Sequence, residues 1–193
     1  NQALSLARGQ YVLLLNNDTV VTAGWISRMS AVFKSHSATA LVGPVSNYVS
    51  GPQLVPNATY GNLAQMEAFA SQRAKENKGQ NFTVLRLVGF CLMAQRWLVH
   101  RIGGLDEQFG TGNFEDDDYC IRAALAGYEA RIANDVFIHH TGGQTFRGSN
   151  INYREAMLRN WELFKTKWDI PRETPPEKGY PLPSRASVPT LYV

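Results

Sequence analysis

The sequence predicts an α/β domain with a mostly parallel central sheet flanked by helices. Short, continuous apolar runs such as YVLLL at 11–15 and TALVGPV at 39–45 are typical of strands buried on both faces of a sheet. These runs alternate with amphipathic segments of helical period, which is the pattern of an α/β fold. The 193 residues, 44% of them hydrophobic, are enough for one domain with its own core.

In the first half of the chain, the elements follow from apolar spacing and from the residues that end each run. Leu4 and Ala7 have helical spacing, and Gly9 is a suitable helix end. The strand at 11–15 precedes a helix over 22–35, in which Trp25 and Met29 share one face. The second strand, 39–45, leads into a loop at 46–61 that contains prolines and several asparagines.

The second half continues the alternation. It contains a helix over 62–79, strand-rich residues 82–94, a short helix over 95–104, a helix over 115–127, a strand over 128–140 and a helix over 153–168. Six of the nine prolines follow Asp169, which favours an extended segment. We therefore expect a folded domain over 1–168 and a proline-rich tail over 169–193.

Composition excludes several classes of protein. The net charge of +3 arises from scattered Lys and Arg without a basic stripe, so nucleic acid is not an expected partner. No apolar run has the length of a transmembrane helix. Cys91 and Cys120 lie in apolar segments without CxxC spacing, which indicates reduced thiols in a cytoplasmic protein.

The first polar motif, Asn16-Asn17-Asp18, stands directly after the first buried strand. Open α/β sheets bind ligands in the loops at the carboxyl ends of strands. Asp18 is a hard oxygen ligand, and the two amides can bond to a sugar or a phosphate. The alternative is an ordinary Asn/Asp turn after a strand.

The second motif places four carboxylates side by side, from Glu115 to Asp118, at the start of a helix. Asp118 and Arg122 are four residues apart, which predicts an ion pair with a structural role. Asp116 precedes the buried face of that helix and can face a cleft, where crowding by Glu115 and Asp117 tunes it as a general base. The alternative is that these acids only stabilise the helix N-terminus.

The third motif is HHTGGQTF at 139–146, in which His139 and His140 end the last strand and meet a Gly-Gly turn. A histidine there can ligate a metal, and the Gly-Gly backbone can approach a phosphate closely. Thr145 adds a hydroxyl and Arg147 a cation. The alternative is a pair of solvated histidines in a turn.

These three motifs, in this order, resemble glycosyltransferase family 2, the inverting nucleotide-sugar transferases of GT-A fold. YVLLLNNDTVV resembles the DXD-type strand end of the family, with Asn16 in place of its first acid. The segment 88–128, with its Gly-containing strand and E-D-x-D helix, resembles the acceptor side, and HHTGGQTF resembles the segment that closes the site. The nearest likenesses are bacterial enzymes that build O-antigen and other surface polysaccharides.

The resemblance implies a role for each matched residue. Asp116 would be the catalytic base. Asn16, Asn17, Asp18 and Gly89 would bind the donor, and Asp18 with His140 would ligate Mn²⁺ or Mg²⁺. A further set would shape the site or contact the acceptor: Glu115, Asp117, Thr145 and Arg147.

The implied reaction is transfer of a sugar from a nucleotide-diphospho-sugar to a hydroxyl of a glycan or lipid-linked acceptor. It would take place in the cytoplasm, with peripheral attachment to the inner face of the membrane left open. Members of the family begin with a nucleotide-binding β-α-β unit that is not recognisable here, so we expect a domain incomplete at its N-terminus. Two alternatives stay open: a non-catalytic carbohydrate-binding fragment, and a metal-dependent phosphohydrolase or nucleotidyltransferase.

Overall fold

The structure is a computed structural model that describes residues 1–110, 112–142, 152–176 and 179–183. Its helices and strands follow the alternation expected from the sequence. The strands are β1 (Tyr11–Leu15), β2 (Thr19–Val20), β3 (Thr39–Val45), β4 (Asn81–Val84), β5 (Cys91–Gln95), β6 (Glu129–Phe137) and β7 (His139–His140). The helices are α1 (Gln2–Leu6), α2 (Trp25–Ser35), α3 (Leu63–Glu76), α4 (Arg96–Ile102), α5 (Glu115–Leu125) and α6 (Tyr153–Trp168), with short 3₁₀ turns at Gly51–Gln53 and Glu107–Phe109.

The central sheet has five strands in the order β1-β5-β3-β6-β4. The α/β class is confirmed, but the sheet is mixed, whereas we expected it to be mostly parallel. Only β3 and β6 pair in parallel, because β5 runs antiparallel between β1 and β3 and β4 runs antiparallel beside β6. The continuous apolar runs reflect burial on both faces, which does not fix the direction of the neighbouring strand.

The direction of the strands brings two of the three predicted ligand motifs, the NND turn and the histidine segment, to one edge. The acidic motif reaches this edge through Asp116, which accepts from the Gly89 amide just before β5. β1, β3 and β6 all point the same way, so their carboxyl ends lie together, next to the amino end of β5. A second small sheet, formed by antiparallel β2 and β7, extends from this edge. This edge carries the NND turn, the loop after β3 and the histidine segment.

The helices cover both faces of the sheet and bury three apolar clusters. The cluster that matters most for the site joins α5 to α6 and the residues after it, through Phe109, Ile121, Trp161, Phe164, Trp168 and Ile170. The segment after α6 is attached to that helix, since the Trp161 indole donates to the Thr174 carbonyl over 2.9 Å. None of the helices in the described part of the chain has the length and apolar character that a membrane span requires.

Candidate active site

Asp18 and His140 meet at the edge of the sheet although 122 positions separate them in the sequence. Asp18 Oδ1 lies 3.2 Å from His140 Nε2, and the two side chains are only 7% and 11% exposed. Neither of these atoms has a hydrogen-bond partner among the described residues. When the imidazole is protonated, the contact is an ion pair. When the ring is neutral with its proton on Nδ1, the Nε2 lone pair faces the carboxylate oxygen with no hydrogen between them.

The position of His140 is fixed mainly by backbone contacts. The β2–β7 pairing places Thr19 opposite His140, and the Thr141 amide donates to the Asp18 carbonyl over 2.9 Å. The Asn47 side chain accepts from the His140 amide (2.9 Å) and donates to its carbonyl (3.1 Å). The Phe90 ring stacks on the imidazole with centroids 5.2 Å apart. These contacts hold the ring against Asp18 before any ligand is bound.

The geometry fits a divalent cation between Asp18 and His140. His140 Nδ1 lies 2.8 Å from the Tyr48 carbonyl, a contact that requires a proton on Nδ1 and leaves the Nε2 lone pair of the neutral ring facing Asp18. Two ligands about 2.1 Å from one ion and at right angles to each other stand about 3 Å apart. The described residues contain no group of three or more His, Cys, Asp or Glu side chains that could hold a metal. Among the described residues, Asp18 and His140 would therefore offer such an ion two ligands and leave its other positions to substrate or water.

Asp116 lines an open cavity of about 370 Å³ that reaches the start of the turn carrying Asp18. Its Oδ2 accepts from the Gly89 amide at 2.6 Å, and its Oδ1 accepts from the Asp117 amide at 2.9 Å. A Cβ on residue 89 would stand 3.2 Å from the Asp116 Cβ, so glycine permits this close approach. Asn16 and Glu115 line the same cavity, together with leucines of β1. The arrangement presents one oriented carboxylate to a space large enough for a small substrate.

Of the acids next to Asp116, Asp117 is buried and Glu115 is partly buried, and both resist ionisation. Burial, followed by the negative charge of Asp116, raises the pKa of Glu115 to about 7. The same causes raise the pKa of Asp117 to about 8, although Arg86 and Tyr180 favour its ionised form. Arg86 Nε lies 2.8 Å from Asp117 Oδ1. Glu115 and Asp117 therefore hold protons more tightly than ordinary carboxylic acids.

Asp118 points away from the cavity and is fully buried. The predicted ion pair is confirmed, since Arg122 Nε lies 2.8 Å from Asp118 Oδ2. Two residues of α6 also reach this carboxylate: Lys167 Nζ at 2.6 Å and the Trp168 indole at 3.1 Å. Asp118 thus joins α5 to α6, which is a structural role.

Comparisons with known proteins agree with this architecture. The family model described as "Glycosyltransferase like family 2" matches residues 1–160. The chain belongs to this family. It is 26% identical over 183 residues to the uncharacterized protein y4gI of Sinorhizobium fredii, an alignment that covers 87% of this chain and 19% of the relative.

A solved structure confirms the GT-A fold. The mannosyltransferase PcManGT from Pyrobaculum calidifontis, in complex with GDP-Man and Mn²⁺, has a TM-score of 0.54 and 18% sequence identity. The match covers 91% of this chain and 44% of that one. The chain therefore spans less than half the length of either protein.

The structure of this glycosyltransferase-family chain brings most of the predicted site residues together. Asn16, Gly89, Glu115 and Asp116 surround one cavity, and Asp18 with His140 form the adjacent pair. Asn17 is exposed in the turn between β1 and β2. Asp117 is buried behind Asp116. Thr145 and Arg147 lie outside the described residues.

Three residues that support the site were missed in the sequence. Asn47 and Tyr48 hold His140, and Phe90 stacks on it while its carbonyl accepts from the Asn16 amide. Asn47 and Tyr48 follow β3 as Asp18 follows the end of β1, so the strand-end rule that selected the NND turn could have selected them too. Phe90 has no such signal, because its role depends on the antiparallel placement of β5.

Proposed function

We propose that this chain carries the catalytic centre of an enzyme that transfers a sugar, with inversion, from a nucleotide-diphospho-sugar to a hydroxyl group. One observation supports this most directly: an oriented carboxylate, Asp116, lines a cavity that reaches the start of the turn carrying Asp18, which pairs with His140. The two parts are connected, because Asn16 lines the cavity and Phe90 both bonds to Asn16 and stacks on His140. Family membership and the GT-A fold agree with this function.

In the proposed reaction, Asp116 accepts the proton of the acceptor hydroxyl as that oxygen attacks the anomeric carbon. The amides of Gly89 and Asp117 hold both carboxylate oxygens, so the base is oriented before the acceptor binds. A single displacement of this kind inverts the anomeric centre and needs no nucleophile from the enzyme.

Asp18 and His140 would hold a divalent metal together with the donor diphosphate. Such an ion, Mn²⁺ or Mg²⁺, neutralises the negative charge that develops on the departing diphosphate. Carboxylate, imidazole and phosphate ligands suit Mn²⁺, and the similar mannosyltransferase was solved with this ion. Asn16 and Asn17, in the turn before Asp18, would contact the donor.

The acceptor in this proposal is a glycan or a lipid-linked sugar of bacterial surface-polysaccharide synthesis, built in the cytoplasm. This part rests on the resemblance to O-antigen transferases. The cavity that Asp116 lines is also lined by three residues of β1, Leu13, Leu14 and Leu15. Their side chains offer apolar contact for a sugar ring or a lipid.

The test is an incubation with a panel of nucleotide sugars, Mn²⁺ and sugar acceptors, followed by NMR of the product. We expect transfer that depends on the acceptor and on the metal, with the anomeric configuration opposite to that of the donor. Release of phosphate or nucleotide at the same rate without an acceptor would favour a phosphohydrolase or nucleotidyltransferase. Binding of glycans without any binding of nucleotide in the presence of Mn²⁺ would favour a non-catalytic carbohydrate-binding fragment.

A further inference from the structure

The turn that carries Asp116 into the cavity has an unusual backbone. Asn113 and Phe114, the two residues directly before α5, both have positive φ angles, of 73° and 76°. Side chains other than glycine rarely adopt this conformation once, and here it occurs twice in succession. Such a turn persists only when contacts from the surrounding structure hold it.

Helix α6 supplies part of that support. Asn160 is fully buried, and its Nδ2 donates to the carbonyl of Phe109 (2.6 Å) and to that of Gly112 (2.7 Å). The Phe114 ring packs on Trp161 and on Phe164, with centroids 5.2 and 5.3 Å apart. Helix α6 therefore contacts the strained turn and the residues before it through backbone carbonyls and through the Phe114 ring.

The segment after α6 reaches still closer to the base, through Tyr180. The Tyr180 ring packs on Phe164 at 4.8 Å, and its hydroxyl donates to Asp117 Oδ1. Arg86 holds the same oxygen, and its Nη2 donates to Ser50 Oγ over 2.8 Å. Asp117 in turn donates its amide to Asp116 Oδ1. One buried residue thus stands between Tyr180 and the carboxylate that faces the cavity.

We propose that Tyr180 is a positioning residue for Asp116, so that the segment after α6 is a functional part of the catalytic centre. The match to the family model covers residues 1–160, so Tyr180 lies outside it. The proposal rests on the proposed function for the identity of the base. Tyr180 is not among the residues that line the cavity, so it acts on Asp116 through Asp117.

The chemistry of the contact suits this role. Burial raises the pKa of Tyr180, so its hydroxyl keeps its proton and remains a donor at neutral pH. The hydroxyl and the Arg86 guanidinium approach Asp117 from different parts of the chain, and together they fix the first turn of α5. Removing the hydroxyl keeps the packing of the ring on Phe164 but removes one of the two contacts to Asp117 Oδ1.

The decisive variant is Tyr180→Phe, compared with Ile170→Val and Tyr128→Phe. Ile170 is buried in the same aromatic cluster, but its aliphatic side chain cannot hydrogen-bond to the acids, and the Tyr128 ring packs on Trp97 of α4. We expect Tyr180→Phe to speed hydrogen exchange at the amides of Gly89 and Asp117 by about tenfold, because both are bonded to Asp116. The other two variants should leave these amides unchanged.

Kinetics provide the second measurement. Misplacing a catalytic group lowers kcat more than donor KM, so we expect Tyr180→Phe to reduce kcat about tenfold with KM within about twofold. Unchanged exchange and unchanged kcat in Tyr180→Phe would overturn the proposal. An equal loss of kcat in Ile170→Val would overturn it too, because the loss would then come from weaker packing of the aromatic cluster and not from the missing hydroxyl.

The two measurements separate this inference from the proposed function. If the wild type transfers no sugar, the proposed function fails, while hydrogen exchange still shows whether Tyr180 holds the turn. If the wild type transfers sugar and Asp116→Asn abolishes transfer while Tyr180→Phe behaves as wild type, the proposed function stands and the positioning role is wrong.

Discussion

The two halves of the site are held in place in different ways. Asp18 comes from the turn between β1 and β2, His140 comes from β7, and backbone pairing between β2 and β7 brings them together. Asp116 comes from one helical turn, and side chains from distant parts of the chain, such as Asn160 and Tyr180, support that turn. On the proposed metal side, strand pairing is thus supplemented by Asn47 and Phe90, which lie on the same sheet edge. The proposed base side depends instead on the packing of the C-terminal helix. The two halves should therefore respond differently to substitution.

The largest effect is expected at the base itself. Asp116→Asn should lower the rate of sugar transfer by about 10²–10⁴-fold, because an amide cannot accept the acceptor proton as a carboxylate does. Donor binding, measured by calorimetry, should stay close to wild type. Asp135→Asn is the matched control, since Asp135 is buried and accepts from the Gly79 amide away from the cavity. Transfer by Asp116→Asn within about tenfold of wild type would contradict the role as base.

The next largest effect concerns the acid that joins α5 to α6. Asp118→Asn should reduce the free energy of unfolding by about 3–5 kcal/mol, because it leaves the buried Arg122 without its counter-charge, while Lys167 keeps its ion pair with Asp106. Urea denaturation measures this loss. Glu129→Gln is the control, because the Glu129 side chain is 39% exposed and losing its ion pair with Arg131 should cost less than about 1 kcal/mol. Normal stability with abolished turnover in Asp118→Asn would mean that Asp116 and Asp118 exchange roles.

The same contrast explains how much the sequence could predict. Local pattern identified the strands, and the rule that ligands collect at strand carboxyl ends selected the Asp18 turn and the His139–His140 segment. The family resemblance then distinguished His140, which the structure places against Asp18. The i, i+4 spacing predicted the Asp118–Arg122 pair. The mixed sheet was not predictable, because a strand buried on both faces has the same apolar run in either direction. The contacts of Asn160 and Tyr180 with the α5 turn span 47 residues or more, and no local pattern encodes them.

The metal side should show coupling between its two ligands. Asp18→Ala and His140→Ala should each weaken Mn²⁺-dependent binding of a nucleoside diphosphate by about 10–100-fold, the range seen for changes around metal sites. The double variant should lose less than the sum of the two free energies, because ligands of one ion are not independent. Calorimetry on the wild type, the two single variants and the double variant measures this double-mutant cycle. His36→Ala is the control, since His36 lies between α2 and β3. Additive losses, or binding indifferent to a chelator, would mean that the two residues serve separate sites.

The smallest effect is expected in the dependence of stability on pH. Burial and the charge of Asp116 raise the pKa of Asp117 to about 8, well above its value of 3.8 in an unfolded chain. An acid with a raised pKa in the folded state stabilises the protein fully below its unfolded pKa, and this contribution is lost as pH rises to its folded pKa. Glu115, with a pKa raised to about 7, acts in the same direction.

The free energy of unfolding should therefore fall between pH 5 and 8 and level off above about pH 8.5, where both acids are ionised in the folded protein. Each group contributes a slope of at most about 1.4 kcal/mol per pH unit, and the salt bridge from Arg86 reduces the share of Asp117. Asp117→Asn should reduce the slope of unfolding free energy against pH mainly below pH 8, and Glu115→Gln should reduce it mainly below pH 7. Urea unfolding at half-unit pH steps would measure both, with Asp135→Asn as the control. A slope in Asp117→Asn equal to that of wild type would mean that Arg86 and Tyr180 keep Asp117 ionised across this range, and that the base side is held by a permanent ion pair.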